Sequence, residues 1–358
     1  MTKFALALIV ILGSIALAEA CNVPVFRFAL ERWRPDPYAM TVFHRGALAA
    51  SDRSLLDALE ARQEKSGVNL LVRRVDVSGL DDADLTLFES LDQPTLPALA
   101  VQYPEHLQIA PPIWSSPLNA DAITRLTDSS LRSELVRRLA DGQTAVWLLL
   151  ESGQSEKDEA AAKLLLARLK TLEQELKLPE LTEASEDMLL AATPLKVAFS
   201  LLRVPRGEAE QPLMQMLLHS EPDLAERSDP IVFPVFGRGR ALWPLVGAGI
   251  TEDNIHDSAA FLVGACSCEV KDLNPGFDLL LAADWGSMLS QDGQPLIAIE
   301  TRHSSPPGDA EFVPIPPGSP KTEESVTAPE PQPTSRRWVI AGLLTGGVAL
   351  IVGLLLRR

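Results

Sequence analysis

Two periods of hydrophobic residues take turns along this chain. Tyr38–His44 alternates at period 2, as a half-buried strand does, and Ser51–Arg62 follows with Leu55 and Leu59 one helical turn apart. Val68–Val77 reads as a second strand and Asp81–Leu91 as a short helix. The run Gln93-Pro94-Thr95-Leu96-Pro97 then leads into an apolar strand, Ala98–Tyr103, and Ile113–Leu139 supplies a last strand and helical cover. Upstream, Phe26, Leu30 and Trp33 share one helical face, which Pro35 and Pro37 terminate.

The same series begins again at Thr144. Ala145–Leu150 is a strand, and Ser155-Glu156-Lys157-Asp158 opens a long helix striped by Leu165, Leu169, Leu172 and Leu176. Leu195, Val197, Phe199 and Leu201 alternate as a strand, and Pro212 starts a helix through Leu218. Pro230 precedes two apolar runs, Ile231–Phe236 and Ala241–Val246, joined by a loop that carries Gly237 and Gly239, which predicts a hairpin. Pro234 and Pro244 lie within those runs and favour edge positions. Thr251 caps a helix carrying Ile255, Ala259, Leu262 and Val263.

Proline, strand, glycine turn, strand, glycine, helix resembles the C-terminal half of a thioredoxin fold. Val75-Asp76-Val77 looks like that family's second central strand, and Pro94 or Pro97 in the first series and Pro230 in the second stand where it carries its cis-proline. The resemblance implies an α/β fold of two thioredoxin-like (β-α-β-α-β-β-α) domains, at 21–142 and 143–303. The second includes an appendix from 269, with a turn at Asn274-Pro275-Gly276, the run Phe277–Trp285 and a strand over Pro295–Glu300. It departs from the family at the chemistry. A redox thioredoxin needs a thiol where its first strand meets the following helix, where the helix N-terminus stabilises the thiolate. Here those junctions read His44-Arg45-Gly46-Ala47-Leu48 and Glu151-Ser152-Gly153-Gln154-Ser155, so the family's oxidoreductase activity does not carry over.

The two ends set the expected address. Residues 1–20 carry Lys3, an apolar run and Ala18-Glu19-Ala20, the pattern of a cleaved secretory signal. Residues 304–335 hold nine prolines and read as an unfolded stalk. The segment 336–358 reads as an anchor. Its 19 uncharged residues, 338–356, are long enough for a transmembrane helix between Arg336-Arg337 and Arg357-Arg358. Gly342 and Gly346 have the spacing of a helix-dimer motif and would allow a homodimer. Signal and anchor together imply a single-pass protein with its ectodomain outside and a short cytoplasmic tail. No asparagine lies in an N-glycosylation sequon, which favours a bacterial cytoplasmic membrane with the ectodomain in the periplasm or beyond. The four terminal arginines contribute +4 to the net −16, and Lys3 and Glu19 cancel, so residues 21–335 carry −20. That charge argues against nucleic acid as a partner.

The cysteines are Cys21, Cys266 and Cys268. In an oxidising compartment they default to disulfide. Cys266 and Cys268 can pair in a strained ring, Cys21 can pair with either, all three can hold a soft metal as thiolates, or the thiols can stay unpaired and structural. Cys21, as first mature residue, is also the position a lipoprotein would acylate, although Glu19 fits that motif badly. The spacing of His44, His106, His219, His256 and His303 matches no zinc-protease motif, and Gly237-Arg238-Gly239-Arg240 reads as a hairpin turn ahead of an anion loop. The expected function is non-catalytic: a membrane-anchored scaffold without cofactor, binding another envelope or membrane protein. The alternative is an envelope thiol-redox or soft-metal protein using Cys266 and Cys268, with or without Cys21.

Overall fold

The first series of strands and helices closes into a four-stranded mixed sheet. The computed structural model describes residues 21–266, 270–291 and 293–297; the expected signal at 1–20, Cys268, the stalk at 304–335 and the anchor at 336–358 with Gly342 and Gly346 lie outside them. Among the described residues no helix is long and apolar enough to cross a membrane. After helix α1 (Val25–Arg32) come β1 (Tyr38–His44), α2 (Ala50–Ser66), β2 (Leu70–Asp76), α3 (Asp82–Glu89), β3 (Ala98–Gln102) and β4 (Trp114–Pro117). The strand order is β2-β1-β3-β4. β2 is parallel to β1, with Tyr38 opposite Leu70 and His44 opposite Asp76, because α2 carries the chain back to its starting end. β3 is antiparallel to β1 and to β4.

Helices α4 (Ala120–Thr127) and α5 (Ser130–Ala140) follow, capped by Asn119 and Ser129 side chains. The chain then repeats the plan through β5 (Ala145–Leu150), α6 (Ser155–Glu175), β6 (Phe199–Val204), α7 (Gln211–Leu218) and β7 (Ile231–Phe236). Two-residue strands β8 (Arg240–Ala241) and β9 (Leu245–Val246) precede α8 (Glu252–Val263) and β10 (Phe277–Asp278), and a single turn, α9 (Trp285–Met288), comes last among the described residues. The second sheet runs β6-β5-β7-β8-β10, with β9 also on β7. β6 is parallel and β7 antiparallel to β5. Two mixed sheets with this shared strand order are compatible with thioredoxin-like domains.

Several details differ from the pattern. Pro234, expected at an edge, lies in β7 between β5 and β8; its carbonyl still accepts Leu242 N at 2.9 Å. The second arm of the hairpin is split, because Trp243-Pro244 interrupts it between β8 and β9. The strand expected from Leu195 begins at Phe199, and Thr144 Oγ1 holds the residues before it by bonds to Lys196 O and Ala198 N, both 3.0 Å. The Leu96–Pro97 peptide is cis, the one such bond among the described residues. The bond before Pro230 is therefore trans, and Pro230 enters the β7–β9 ladder directly, its carbonyl accepting Gly247 N at 2.9 Å.

The second sheet is buried on both faces, which is why AVWLLL and IVFPVF read as continuous apolar runs. Val146, Leu148 and Phe233 face a core shared with Met40, Leu99 and Val101 of the first sheet, filled by α2, α4, α5 and α7. Trp147, Leu149 and Val232 face the opposite side, under α1, α6 and α8. The outer face of the first sheet holds a smaller cluster of Phe43, Ala100 and Leu87 under α3.

The ends of the chain cross over between the sheets. Residues 21–33, which precede the first sheet in sequence, pack on the second: Pro24 pairs with Ala265, and Phe26, Phe28 and Trp33 join its outer core. Burying each of these rings is worth about 1.5–3 kcal/mol. Gly237 makes the approach possible, since a Cβ there would stand 2.6 Å from the Ala29 Cβ. Conversely, residues 279–283 leave the second sheet and reach the first. Val68 pairs with Ala282, and Asn69 Nδ2 donates to Leu279 O at 3.1 Å.

Candidate functional site

At each strand–helix junction an aspartate side chain organises the backbone. In the first, the paired ends of β1 and β2 place Asp76 beside the loop after His44. Asp76 Oδ2 accepts Gly46 N at 2.9 Å, and Oδ1 accepts Ser78 N at 2.9 Å and Ser78 Oγ at 2.7 Å. These bonds, led by those from Ser78, hold the Asp76 carboxyl below the usual carboxylate range. His44 Nδ1 lies 2.7 Å from Gly46 O, and Arg53 Nη1 donates to Leu48 O at 2.6 Å. His44 and Asp76 thus serve the loop itself, and Arg45 projects into solvent. Pro97 stands at the start of β3, beside the end of β1, where Phe43 opposes Ala98.

The second junction is built alike from different residues. Asp158, buried in the first turn of α6, accepts Ser152 N at 2.7 Å and Ser152 Oγ at 2.8 Å through Oδ1, and Gly153 N at 3.1 Å through Oδ2. A carboxylate here also faces the positive end of the helix dipole. Gln154 Nε2 bridges to Ser228 O at 2.9 Å, and Lys157 Nζ pairs with Asp229 at 2.8 Å, tying the junction to the segment before Pro230. Between them and the Gly247–Ile250 turn lies an apolar groove of about 300 Å³, floored by Ala160, Ala161, Leu164 and Pro230. Its volume suits a side chain or two of a polypeptide. Neither aspartate role was legible in advance; the signal for the second is an acidic residue in the first turn after a Ser-Gly pair.

The cysteines do not lie at either junction. Cys21 and Cys266 are buried in one apolar cluster on the outer side of the second sheet. Short antiparallel pairing brings their segments together: Val25 N donates to Gly264 O at 3.0 Å and Cys266 N to Val23 O at 2.9 Å. Cys266 is 1% exposed, because its strand-like pairing continues straight from the end of α8. Cys268 lies outside the described residues. Among the described residues no group of three or more His, Cys, Asp or Glu is placed to hold a metal ion.

The arginines of Gly237-Arg238-Gly239-Arg240 are both buried. Arg240 donates to Asn274 O at 2.8 Å and Pro275 O at 3.1 Å and meets Asp278 at 3.3 Å. Asp278 also pairs with Lys271, which reaches Asp36 at 2.8 Å. Burial pushes the Asp278 carboxyl up, but the Lys271 and Arg240 cations outweigh burial and hold it below the usual range. This buried network joins the N-terminal crossover to β10.

No family model matches the chain, and no curated protein matches it. Among solved structures it is similar to the human ERp44 zinc-bound form, at 10% sequence identity and a TM-score of 0.21. The match covers 67% of this chain and 58% of that one, so the chain spans less than two thirds of that structure's length.

Proposed function

We propose that this protein is a non-catalytic binding or scaffold protein built on two thioredoxin-like domains, at 21–142 and 143–303, and held at a bacterial envelope membrane by residues 338–356. The observation that carries this reading is the pair of junctions. Where a thioredoxin would expose a thiol, each junction is closed by an aspartate that spends its carboxylate on loop N–H and hydroxyl groups. The apolar groove beside Pro230 is the surface offered to a partner polypeptide, another envelope or membrane protein. Gly342 and Gly346 would add a homodimer contact within the membrane.

The test is cross-linked capture of the full chain from its native membrane, wild type against Ala248→Arg. Ala248 is exposed on the groove rim, so the variant should fold. Loss of the captured partner at an unchanged melting temperature supports the groove; undiminished capture refutes it.

A second reading is favoured by the pairing of the Cys21 and Cys266 segments: an envelope thiol or soft-metal site using Cys21, Cys266 and Cys268. It predicts stoichiometric metal, or dithiol reactivity, that disappears in Cys266→Ser/Cys268→Ser. The scaffold reading predicts that the same variant keeps its partner.

A further inference from the structure

Strand β2 is the outer strand of the first sheet, and among the described residues no strand pairs with its outer edge. An open edge is a template for another extended chain unless something blunts it. Its C-terminal half is blunted by Arg73, bound to Asp84, and Arg74, bound to Asp57 and Glu60 at 2.9 and 3.0 Å. Leu70, Leu71 and Val72 are not guarded in this way. They line a cleft of about 900 Å³ together with Pro35, Pro37 and Trp285, and Leu71 is 52% exposed.

The cleft is closed at one end. Just before β2, a Cβ on Gly67 would stand 2.5 Å from Ala283 O, so two backbones touch there. Val68 is already paired with Ala282. A chain laid along Leu70–Val72 therefore cannot continue past this point and must end there.

The charges lining the cleft select which end. Glu60 is committed to Arg74, Asp284 to Ser287 N and Oγ at 3.0 and 2.6 Å, and Lys271 to Asp36 and Asp278. Two guanidiniums make no ion pair among the described residues. Arg34 makes no side-chain hydrogen bond or ion pair among the described residues. Arg238 is 8% exposed and makes no ion pair among the described residues, although the Glu31 carboxylate lies near enough to favour its charge. Its Nε donates to Leu30 O at 2.8 Å, and its Nη2 reaches Glu31 O and Leu296 O at 3.4 Å. Nη1 has no partner among the described residues and is left for the cleft. Burial pushes this guanidinium down to about 10, so it stays cationic at neutral pH. Charge-assisted bonds to a carboxylate are the strong use of such a group.

A strand antiparallel to β2 brings its C-terminus to the closed end; a parallel one brings an ammonium, which two guanidiniums repel. We propose that this cleft binds the extended C-terminal segment of a partner polypeptide, added antiparallel to β2 at Leu70–Val72, with its terminal carboxylate held by Arg238 and Arg34. The mode is strand addition, where main-chain bonds supply affinity and the charged end supplies register. It uses a different face from the groove beside Pro230 and does not depend on it.

The probe is an N-terminally fluorescein-labelled Thr-Val-Thr-Val-Thr-Val peptide, as free acid and as C-terminal amide, titrated against the full chain in detergent by fluorescence anisotropy. The free acid should bind saturably and slow hydrogen exchange at residues 70–72, and the amide should bind at least tenfold more weakly. Arg34→Gln, on an exposed side chain, should weaken the acid severalfold at unchanged melting temperature. Val72→Pro should abolish binding of both peptides, since its N–H faces the open edge, away from β1, and proline removes it; it covers the case in which Arg238→Gln fails to fold. Equal binding of acid and amide overturns the carboxylate assignment. Failure of the free acid to bind the full chain, including because the chain's own residues after Ile297 already fill the cleft, overturns the proposal.

Discussion

Removing the carboxylate of Glu31 should unfasten the N-terminal crossover. Glu31 is fully buried on α1 between two arginines. Its Oε1 accepts Arg27 Nε at 2.7 Å and Ala191 N at 2.9 Å, and its Oε2 accepts Arg32 Nη1 at 2.9 Å. The arginines in turn hold the connector after α6, Arg27 through Ala191 O and Arg32 through Met188 O, both at 2.7 Å. Glu31→Ala leaves two guanidiniums near-buried without their counter-charge and one backbone N–H without an acceptor. Breaking a buried ion pair from one side costs about 3–5 kcal/mol. The penalty belongs to the stranded charge more than to the lost bond, which makes a second prediction inside the first. Arg27→Met combined with Glu31→Leu should cost less than Glu31→Ala alone, because the apolar pair strands less charge. The assay is urea denaturation of the full chain followed by far-UV circular dichroism, read as midpoint shifts at constant slope. A cost for Glu31→Ala below about 1 kcal/mol, the scale of an exposed pair, would refute the buried-triad account. So would a double variant that loses as much as the single.

Gly237 has φ +58° and meets Ala29, so Gly237→Ala should lose about 1–3 kcal/mol, and Ala29→Gly in the same chain should recover part of it; independent, additive effects would break the proposed contact. Asp278 ionises below its unfolded value, so its stabilisation is complete above about pH 4 and is lost as pH falls toward the folded pKa. Urea midpoints measured from pH 7 to 2 should therefore fall less steeply below pH 4 in Asp278→Asn, and an unchanged slope counts against the network. Non-reducing peptide mapping should join Cys21 to one of Cys266 and Cys268; a Cys266–Cys268 ring with Cys21 outside it contradicts that pairing.

The local elements of this chain are written in its periodicity. AVWLLL and IVFPVF announce strands because both faces of the second sheet are buried, so no polar residue is needed along them. Thr251 announces a helix start because its cap bonds only three residues ahead, and Asn119 and Ser129 cap α4 and α5 in the same way within the stretch read only as helical cover. The missing thiols at both junctions were also legible, since identity and chain position suffice there. The crossovers were not. All eight residues of α1 are buried, Arg27 and Glu31 among them, although periodicity predicts one polar face. That face is covered by Ala191 and Met188, more than 150 residues away, and periodicity does not encode a partner at that distance. For the same reason nothing near Asn69 reveals that residues 279–282 will run beside it, or that Arg238 will line a cleft at the first sheet. Period and caps depend on neighbours within a turn or two and are set by the sequence alone. The pairing of Pro24 with Ala265 and the closed end at Gly67 depend on which distant backbones can approach, and only the packed tertiary structure decides that.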